Sequence, residues 1–475
     1  MTKQQQPQPQ STTSSSNNDN NNKFNNTVAY AISLVKCNDK QTSTAGLIDA
    51  ALVLRHSIHN NSVRNPASGS KYDYHMVAIV HNQAVKCSSV LKKVGFDVRV
   101  VETPVRRERI RGEYLRNTIQ REWCCGHGAS FNYYYYCISS TINPFLTHSL
   151  CLFLFVCLDE FIKWYPYRMT EFPVVVHVDI DFLFLQPMDE LYDAIIYSKD
   201  TARGRKARES IPMEFPKETA WPDRVDAFIT RDWPQVIPGR TPGYQAGFLV
   251  ARPDPTVWEE LTSIVLEGNY SKGFGRDNGW GGMGYGGFVG AMAMQGLMAY
   301  YYDVVRRGTA VELNQCRYNW MGMDVRYRAN PNFRKNHPKR GQCRNDRKEC
   351  EDCRATPTSL IKSVHYTQCR KPWNCVGTGV HGGAQGTAID TDAGHYEKCM
   401  EIIERWHSYR SDLEHQWHQL TGDQQLLSFN TGGRPNYKPE IFHGHCHGEG
   451  GKNYSQITAS QKSFYRLRDL YQPNA

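Results

Sequence analysis

The chain is predicted to be an α/β protein organised around one mostly parallel sheet. Two observations predict this: apolar, β-branched runs alternate with helix-period segments from Val28 onward, and one of those runs ends in a pair of aspartates. VAYAISLV (28–35) has the texture of a buried strand. GLIDAALVLRHSI (46–58) follows as a helix, because Leu47, Ala50, Ala51 and Leu54 fall on one face. MVAIV (76–80) is a second strand, SSVLKKVG (88–95) a short helix stopped by Gly95, and FDVRVVE (96–102) a third strand. Further on, FPVVVHVDIDFLFL (172–185) reads as one apolar strand. YQAGFLVARP (244–253) is another, and the helix PTVWEELTSIVLEG (255–268) follows it. A Gly-rich loop, GFGRDNGWGGMGYGG (273–287), precedes the helix-like FVGAMAMQGLMAYYYDV (288–304).

Composition sets the outer bounds. A chain of 475 residues leaves room for two or three domains or for one decorated domain. Hydrophobic residues at 40% supply a sizeable core, so wholesale disorder is excluded. A net charge of +9 over this length is mild and does not argue for nucleic acid. No uninterrupted apolar run approaches the roughly 20 residues of a membrane span, and no membrane anchor is evident.

Three segments stand apart from the α/β rhythm. Residues 1–27 are rich in Gln, Asn and Ser, cannot offset their ordering entropy by burial, and are expected to be a disordered tail. They lack the apolar stretch of a signal peptide, so either the protein is cytosolic or this is not the native N-terminus. Gly128 to Leu158 contains no Asp, Glu, Lys or Arg, and we read it as an insertion foreign to the fold, such as a translated intron, with a buried helix or hairpin as the alternative. Residues 426–475, Gly-, Asn- and His-rich, are expected to wrap the surface, leaving 28–425 as the main domain.

The strongest chemical signal is Asp179 and Asp181 in HVDIDFLFLQPMDELYD (177–193). Alternation along a strand puts both carboxylates on one face and Ile180 on the other. Two carboxylates at the carboxyl end of a buried strand make a hard-oxygen site for Mn2+ or Mg2+, whereas a bare Asp-x-Asp is otherwise a solvated strand end. The second constellation is VHYTQCRKPWNC (364–375), where His365 can complete a metal site and Lys371 can meet a phosphate.

Taken together, these segments resemble the glycogenin-like glycosyltransferases, glycosyltransferase family 8, which have the GT-A nucleotide-diphospho-sugar fold. The family's metal motif reads here as DIDFLFLQPMDEL, and its closing His-Phe-x-Gly-x-x-Lys-Pro-Trp motif reads as HYTQCRKPW. Lys163 stands sixteen residues before Asp179, where the family has a lysine. AYAISLVKCND and YQAGFLVARP also look alike to family segments. The resemblance implies a single GT-A domain and a retaining, metal-dependent hexosyltransferase using a UDP-sugar, with a glycan, glycoprotein or lipid as acceptor. It implies Asp179, Asp181 and His365 as metal ligands, and Lys163, Tyr30, Gln245, Ala246, Gly247, Lys371 and Trp373 as substrate-binding residues. Gln295 and Lys371 would serve the reaction itself. The chain departs from the pattern at Gln245 (Asn in the family), Gln368 (Gly) and Met294 (Asp). The second expectation is therefore an inactive relative that binds sugar nucleotides or glycans.

Weaker signals complete the reading. Cys343, Cys350, Cys353, Cys369 and Cys375 cluster, either as disulfides pinning the loop beside His365 or, through Cys350 and Cys353, as half a zinc site. Disulfides, with sequons at Asn60, Asn269 and Asn453, point to a secretory or Golgi lumen if the native chain carries an anchor, and otherwise to the cytoplasm. Residues 326–354 hold ten Lys/Arg and four Asp/Glu without interleaved stacking aromatics, which reads as a solvated loop or an anionic-acceptor contact. The Gly-rich loop lacks the Lys-Ser/Thr ending of a phosphate cradle and reads as a flap over the acceptor.

Overall fold

The computed structural model describes residues 26–35, 41–119, 158–214, 220–232, 243–272, 277–288, 290–322, 343, 347–367, 369, 371–374, 393–427, 446–447, 453–454 and 456–472. The expected tail up to residue 25, the uncharged insertion up to 157, most of the basic 326–354 stretch and Cys375 lie outside them.

The strands, in chain order, are β1 (Thr27–Leu34), β2 (Asp73–His81), β3 (Asp97–Val101), β4 (Val175–Val178), β5 (Phe182–Phe184), β6 (Ala227–Ile229), β7 (Phe248–Ala251), β8 (Tyr270–Ser271), β9 (Gly279–Trp280), β10 (Ala310–Glu312) and β11 (Ser363–His365). Seven of them form one sheet in the order β10-β6-β7-β4-β1-β2-β3. Every neighbouring pair is parallel except the two that involve β7, which runs antiparallel to both β4 and β6. The mixed α/β class with a mostly parallel sheet is therefore as the sequence predicted. Strand β1 explains its own placement. Val28, Tyr30 and Ile32 point into one core, Ala29 and Ala31 into another on the opposite face, so the strand is apolar throughout because both faces are covered.

The helices that position the site are α1 (Gln41–Asn60), α2 (Val85–Lys93), α3 (Pro255–Glu267), α4 (Met294–Tyr300), α5 (Ala393–Thr421) and α6 (Gln461–Leu470). Helix α3 shows how local chemistry sets an element. The Asp254 side chain accepts from Thr256 N at its start, Pro255 occupies the first turn, and Val257, Leu261 and Val265 line its buried face.

Three expectations change, and the segment carrying Lys163 takes a definite form. The strand read across 172–185 breaks into β4 and β5 around Asp179–Asp181, because β5 leaves the central sheet to pair with β11. The segment carrying Lys163 is a 3-10 helix (Asp159–Arg168), with Pro166 inside it. The helix read from 288 begins only at Met294 and ends in a π turn over Tyr301–Val305. Finally, part of 426–475 does more than wrap the surface: Ile457, Leu467 and Tyr471 join the largest apolar core, and Trp417 Nε1 donates to Ser463 O at 3.0 Å. Composition concealed this short amphipathic helix, since a few apolar residues at helical spacing suffice to dock it.

Several of the described cysteines are joined in disulfides. Cys316 pairs with Cys353, Cys343 with Cys350, and Cys369 with Cys399. This corrects the half-zinc alternative, because Cys350 and Cys353 are bonded to different partners. Among the described residues no helix is long and apolar enough to cross a membrane.

Candidate functional site: a dicarboxylate–histidine centre at the sheet edge

The strand order reverses between β1 and β4: β2 and β3 extend the sheet on one side of β1, and β4 begins the other. In open α/β sheets such a switch point, at the carboxyl ends of the strands, opens a crevice for ligands. Asp179 is the first residue past β4 and therefore sits in that crevice. Its backbone N–H donates to Gly247 O at 3.1 Å, tying the turn to the end of the antiparallel neighbour β7. Asp181 lies two residues on, and its carbonyl accepts from Tyr366 N at 3.0 Å. The pair thus belongs to a turn held from both sides rather than to one face of a continuous strand.

His365 arrives from β11, where it stands opposite Phe182 of β5. Its ring stacks on Phe182 at a centroid distance of 4.6 Å and is almost wholly buried. Nε2 is 3.5 Å from Asp181 Oδ1 and 3.9 Å from Asp179 Oδ2. Nδ1 is buried and has no hydrogen-bond partner among the described residues, so the contacts of the ring nitrogens there are those of Nε2 with the two carboxylates. Asp179, Asp181 and His365 each offer a donor atom within 4.8 Å of the others, and they are the group of this kind among the described residues. Two carboxylate oxygens and an imidazole nitrogen at this spacing suit a hard or borderline divalent cation.

Two lysines complete the charge pattern. Lys163 Nζ donates to Asp179 Oδ1 at 2.9 Å, and Lys371 Nζ donates to Asp181 Oδ2 and to the carbonyl of Tyr366. Burial works to raise both aspartate pKa values. Lys163 outweighs it at Asp179, Lys371 and His365 at Asp181, so both carboxyls stay below the usual carboxylate range. For Lys163, burial acts to lower the pKa, but the charges of Asp179 and Glu160 raise it. His177, on β4 behind this centre, is pushed down to about 3 by burial and by Lys163, and its Nε2 lies 2.8 Å from Ser33 Oγ.

Gly247 forms the floor. A Cβ there would lie 2.6 Å from His365 Cε1, 2.7 Å from Asp179 Oδ2 and 2.9 Å from Gln245 Oε1. Only a residue without a side chain lets the three groups close in. Gln245 folds back so that its Oε1 accepts from Gly247 N at 2.5 Å, while its own N–H donates to Thr230 O at 2.9 Å. Ala246, half-buried, packs against the core formed by α3 and α4.

Gln295, in the first turn of α4, is linked to this segment because Tyr244 N donates to its carbonyl at 3.1 Å. Its Nε2 donates to Asp232 Oδ2 at 2.5 Å. Gly290, at φ +78°, gives the amide its room, since a Cβ there would sit 2.1 Å from Gln295 Oε1. Asp232 is the residue that sequence reasoning missed: a buried carboxylate now stands beside the glutamine, though the preceding position is the apolar Met294. No sequence signal could have found it, because sixty-three positions separate the partners. Glu160, one helical turn from Lys163, could have been found by that spacing.

Two other expected substrate-binding residues have aromatic neighbours. Tyr30 is buried in the largest core, with its hydroxyl 2.5 Å from that of Tyr192 and its ring edge-on to Phe184. Trp373, half-buried, has its ring 6.1 Å from Trp406 of α5 and against Gly46 of α1. Gln368 lies outside the described residues.

No family model matches the chain, and no curated protein matches it. Among solved structures it is similar to mouse xyloside xylosyltransferase 1 in its apo form, at 10% identity over 72% of this chain and 97% of that one, with a TM-score of 0.32. It is also similar to the galactosyltransferase LgtC in complex with donor and acceptor sugar analogues, at 13% identity over 81% and 99% of the two chains, with a TM-score of 0.30. A third similar structure is the apo glycosyltransferase GlyE of Streptococcus pneumoniae TIGR4, at 10% identity over 81% and 63%, with a TM-score of 0.33.

Proposed function

We propose that the protein is a glycosyltransferase of the GT-A type, similar to family 8, that moves a hexose or uronic acid from a UDP-sugar to a glycan, protein or lipid acceptor. The reaction would retain anomeric configuration and depend on Mn2+ or Mg2+. One observation carries the reading: Asp179, Asp181 and His365 converge at the switch point of the sheet with Lys163 and Lys371 beside them. A binding site for a metal and a diphosphate needs this combination of anionic donors inside and cations at the rim.

Asp179, Asp181 and His365 would hold the cation, which when bound supplies Lewis-acid charge to the departing diphosphate. The other roles fall to the chain itself. Lys371 now pairs with Asp181; on donor binding its ammonium turns to a phosphate oxygen and keeps that charge through the transition state. Lys163 holds the Asp179 carboxylate in one orientation. Asp232 fixes the amide of Gln295, so that the pair presents a carboxylate and an amide on the sugar side of the crevice. A neutral amide is a poor nucleophile, which supports same-face attack by the acceptor rather than a covalent intermediate on Gln295. A secretory-lumen location belongs to the same proposal, supported by the three disulfides.

The test is UDP release by purified protein with Mn2+ and a panel of UDP-sugars, measured beside Asp179→Asn. Release from at least one sugar, lost in the variant and on chelation, is expected. UDP binding with no release above the variant would instead make the protein a sugar-nucleotide-binding relative.

A further inference from the structure

Lys371 carries the diphosphate in the reading above, yet among the described residues beside it the regular structure is the short turn Pro372–Asn374. A flexible four-carbon side chain on a loose loop would be a poor electrostatic partner, because a displacement of about 1 Å can cost about a hundredfold in rate. The structure shows what steadies it. Three ties run from the loop to helix α5. Cys369 is bonded to Cys399, the Tyr366 hydroxyl donates to Ile402 O at 2.7 Å, and Trp373 packs near Trp406. Cys399, Ile402, Ile403 and Trp406 fall on one helical face, and they share an apolar cluster with Val364, Tyr366, Cys369 and Leu183.

Helix α5 is itself anchored. Arg410 pairs with Asp49 of α1 at 3.1 Å and with Glu414 at 3.3 Å, all three buried, and Asp412 meets His56 of α1 at 2.8 Å. A rigid path therefore runs from α1 through α5 to the loop, and its covalent link is two residues from Lys371.

We propose that Cys369 and Cys399 are positioning residues for the reaction: their disulfide holds the Lys371 ammonium at the dicarboxylate centre, so that diphosphate affinity depends on this bond. The inference rests on Lys371 being a diphosphate ligand.

The test is a double-mutant cycle on the full chain, read as UDP affinity at saturating Mn2+ by calorimetry, with melting temperature and Mn2+ affinity measured alongside. Cys369→Ala/Cys399→Ala is expected to weaken UDP binding about tenfold, as lost support around a binding group does, and to leave Mn2+ affinity unchanged. Placed on Lys371→Ala, the same cysteine pair should cost nothing further. Cys343→Ala/Cys350→Ala, which removes a different disulfide, should leave UDP affinity at the wild-type value. Equal losses with and without Lys371 would make the bond merely structural and overturn the proposal, as would no loss at all. Should the alanine pair fail to fold, Tyr366→Phe removes a second tie to α5 and carries the same cycle: an effect that persists in Lys371→Ala overturns the proposal. Wild-type UDP affinity in Lys371→Ala alone would instead refute the diphosphate reading of that lysine, a result distinguishable from the other two.

Discussion

Gly247→Ala should damage the dicarboxylate centre without replacing any of its three proposed metal ligands. The added methyl would stand 2.6 Å from His365 Cε1, 2.7 Å from Asp179 Oδ2 and 2.9 Å from Gln245 Oε1, all inside the 3.4 Å at which ordinary contact begins. The first two neighbours cannot yield cheaply. The His365 ring is stacked on Phe182 and its backbone is paired in β11, while Asp179 is tied to Lys163 and, through its N–H, to Gly247 itself. Overpacking of this kind costs about 1–3 kcal/mol of stability. Forcing Asp179 and His365 apart should also weaken Mn2+ binding about ten- to a hundredfold, the range seen when support for metal ligands is lost. Mn2+ titration followed by electron paramagnetic resonance, with urea unfolding of the same samples, measures both effects. Wild-type Mn2+ affinity together with wild-type stability would refute the claim that Gly247 makes room for the site.

Asp232→Asn should lower kcat about ten- to a hundredfold while leaving Mn2+ and UDP affinities unchanged, because its carboxylate fixes the Gln295 amide and is none of the proposed metal or diphosphate ligands; a change confined to UDP affinity would contradict this. Burial, reinforced by the charge of Glu312, pushes the Glu214 carboxyl up to about 8 from 4.5. The folded chain then holds that proton more tightly than the unfolded one, so this contribution to stability is full below pH 4.5 and is lost as pH rises toward 8. The melting temperature should accordingly decline over that window and Glu214→Gln should flatten the decline; identical profiles for the two proteins would contradict it. Arg410→Ala removes the buried cation that pairs with Asp49 and Glu414 and should cost about 3–5 kcal/mol in urea unfolding; a loss below about 1 kcal/mol would mean the triad is not a structural ion network.

Local chemistry was legible in the sequence wherever it acts over a few residues. The apolar runs of β1, β2 and β4 read as strands because both faces of the sheet are covered, and α3 read as a helix because Asp254, Pro255 and Gly268 mark its ends. Asp179, Asp181, His365 and Lys371 were recognisable because the chemistry demands those residue types at those spacings within single segments. Their meeting was implied by the family resemblance and by no local pattern: β11 brings His365 to Phe182 across the whole length of the intervening chain. Asp232 beside Gln295, Cys369 bonded to Cys399, and the burial of Ile457, Leu467 and Tyr471 had no signal of either kind. Fold class and chemical inventory could be read from residue order alone, because hydrophobic period, capping and residue type act over a few residues. Which carboxylate serves which cation, and which loop is tied to which helix, follows from contacts between distant segments, whose energies no local pattern encodes.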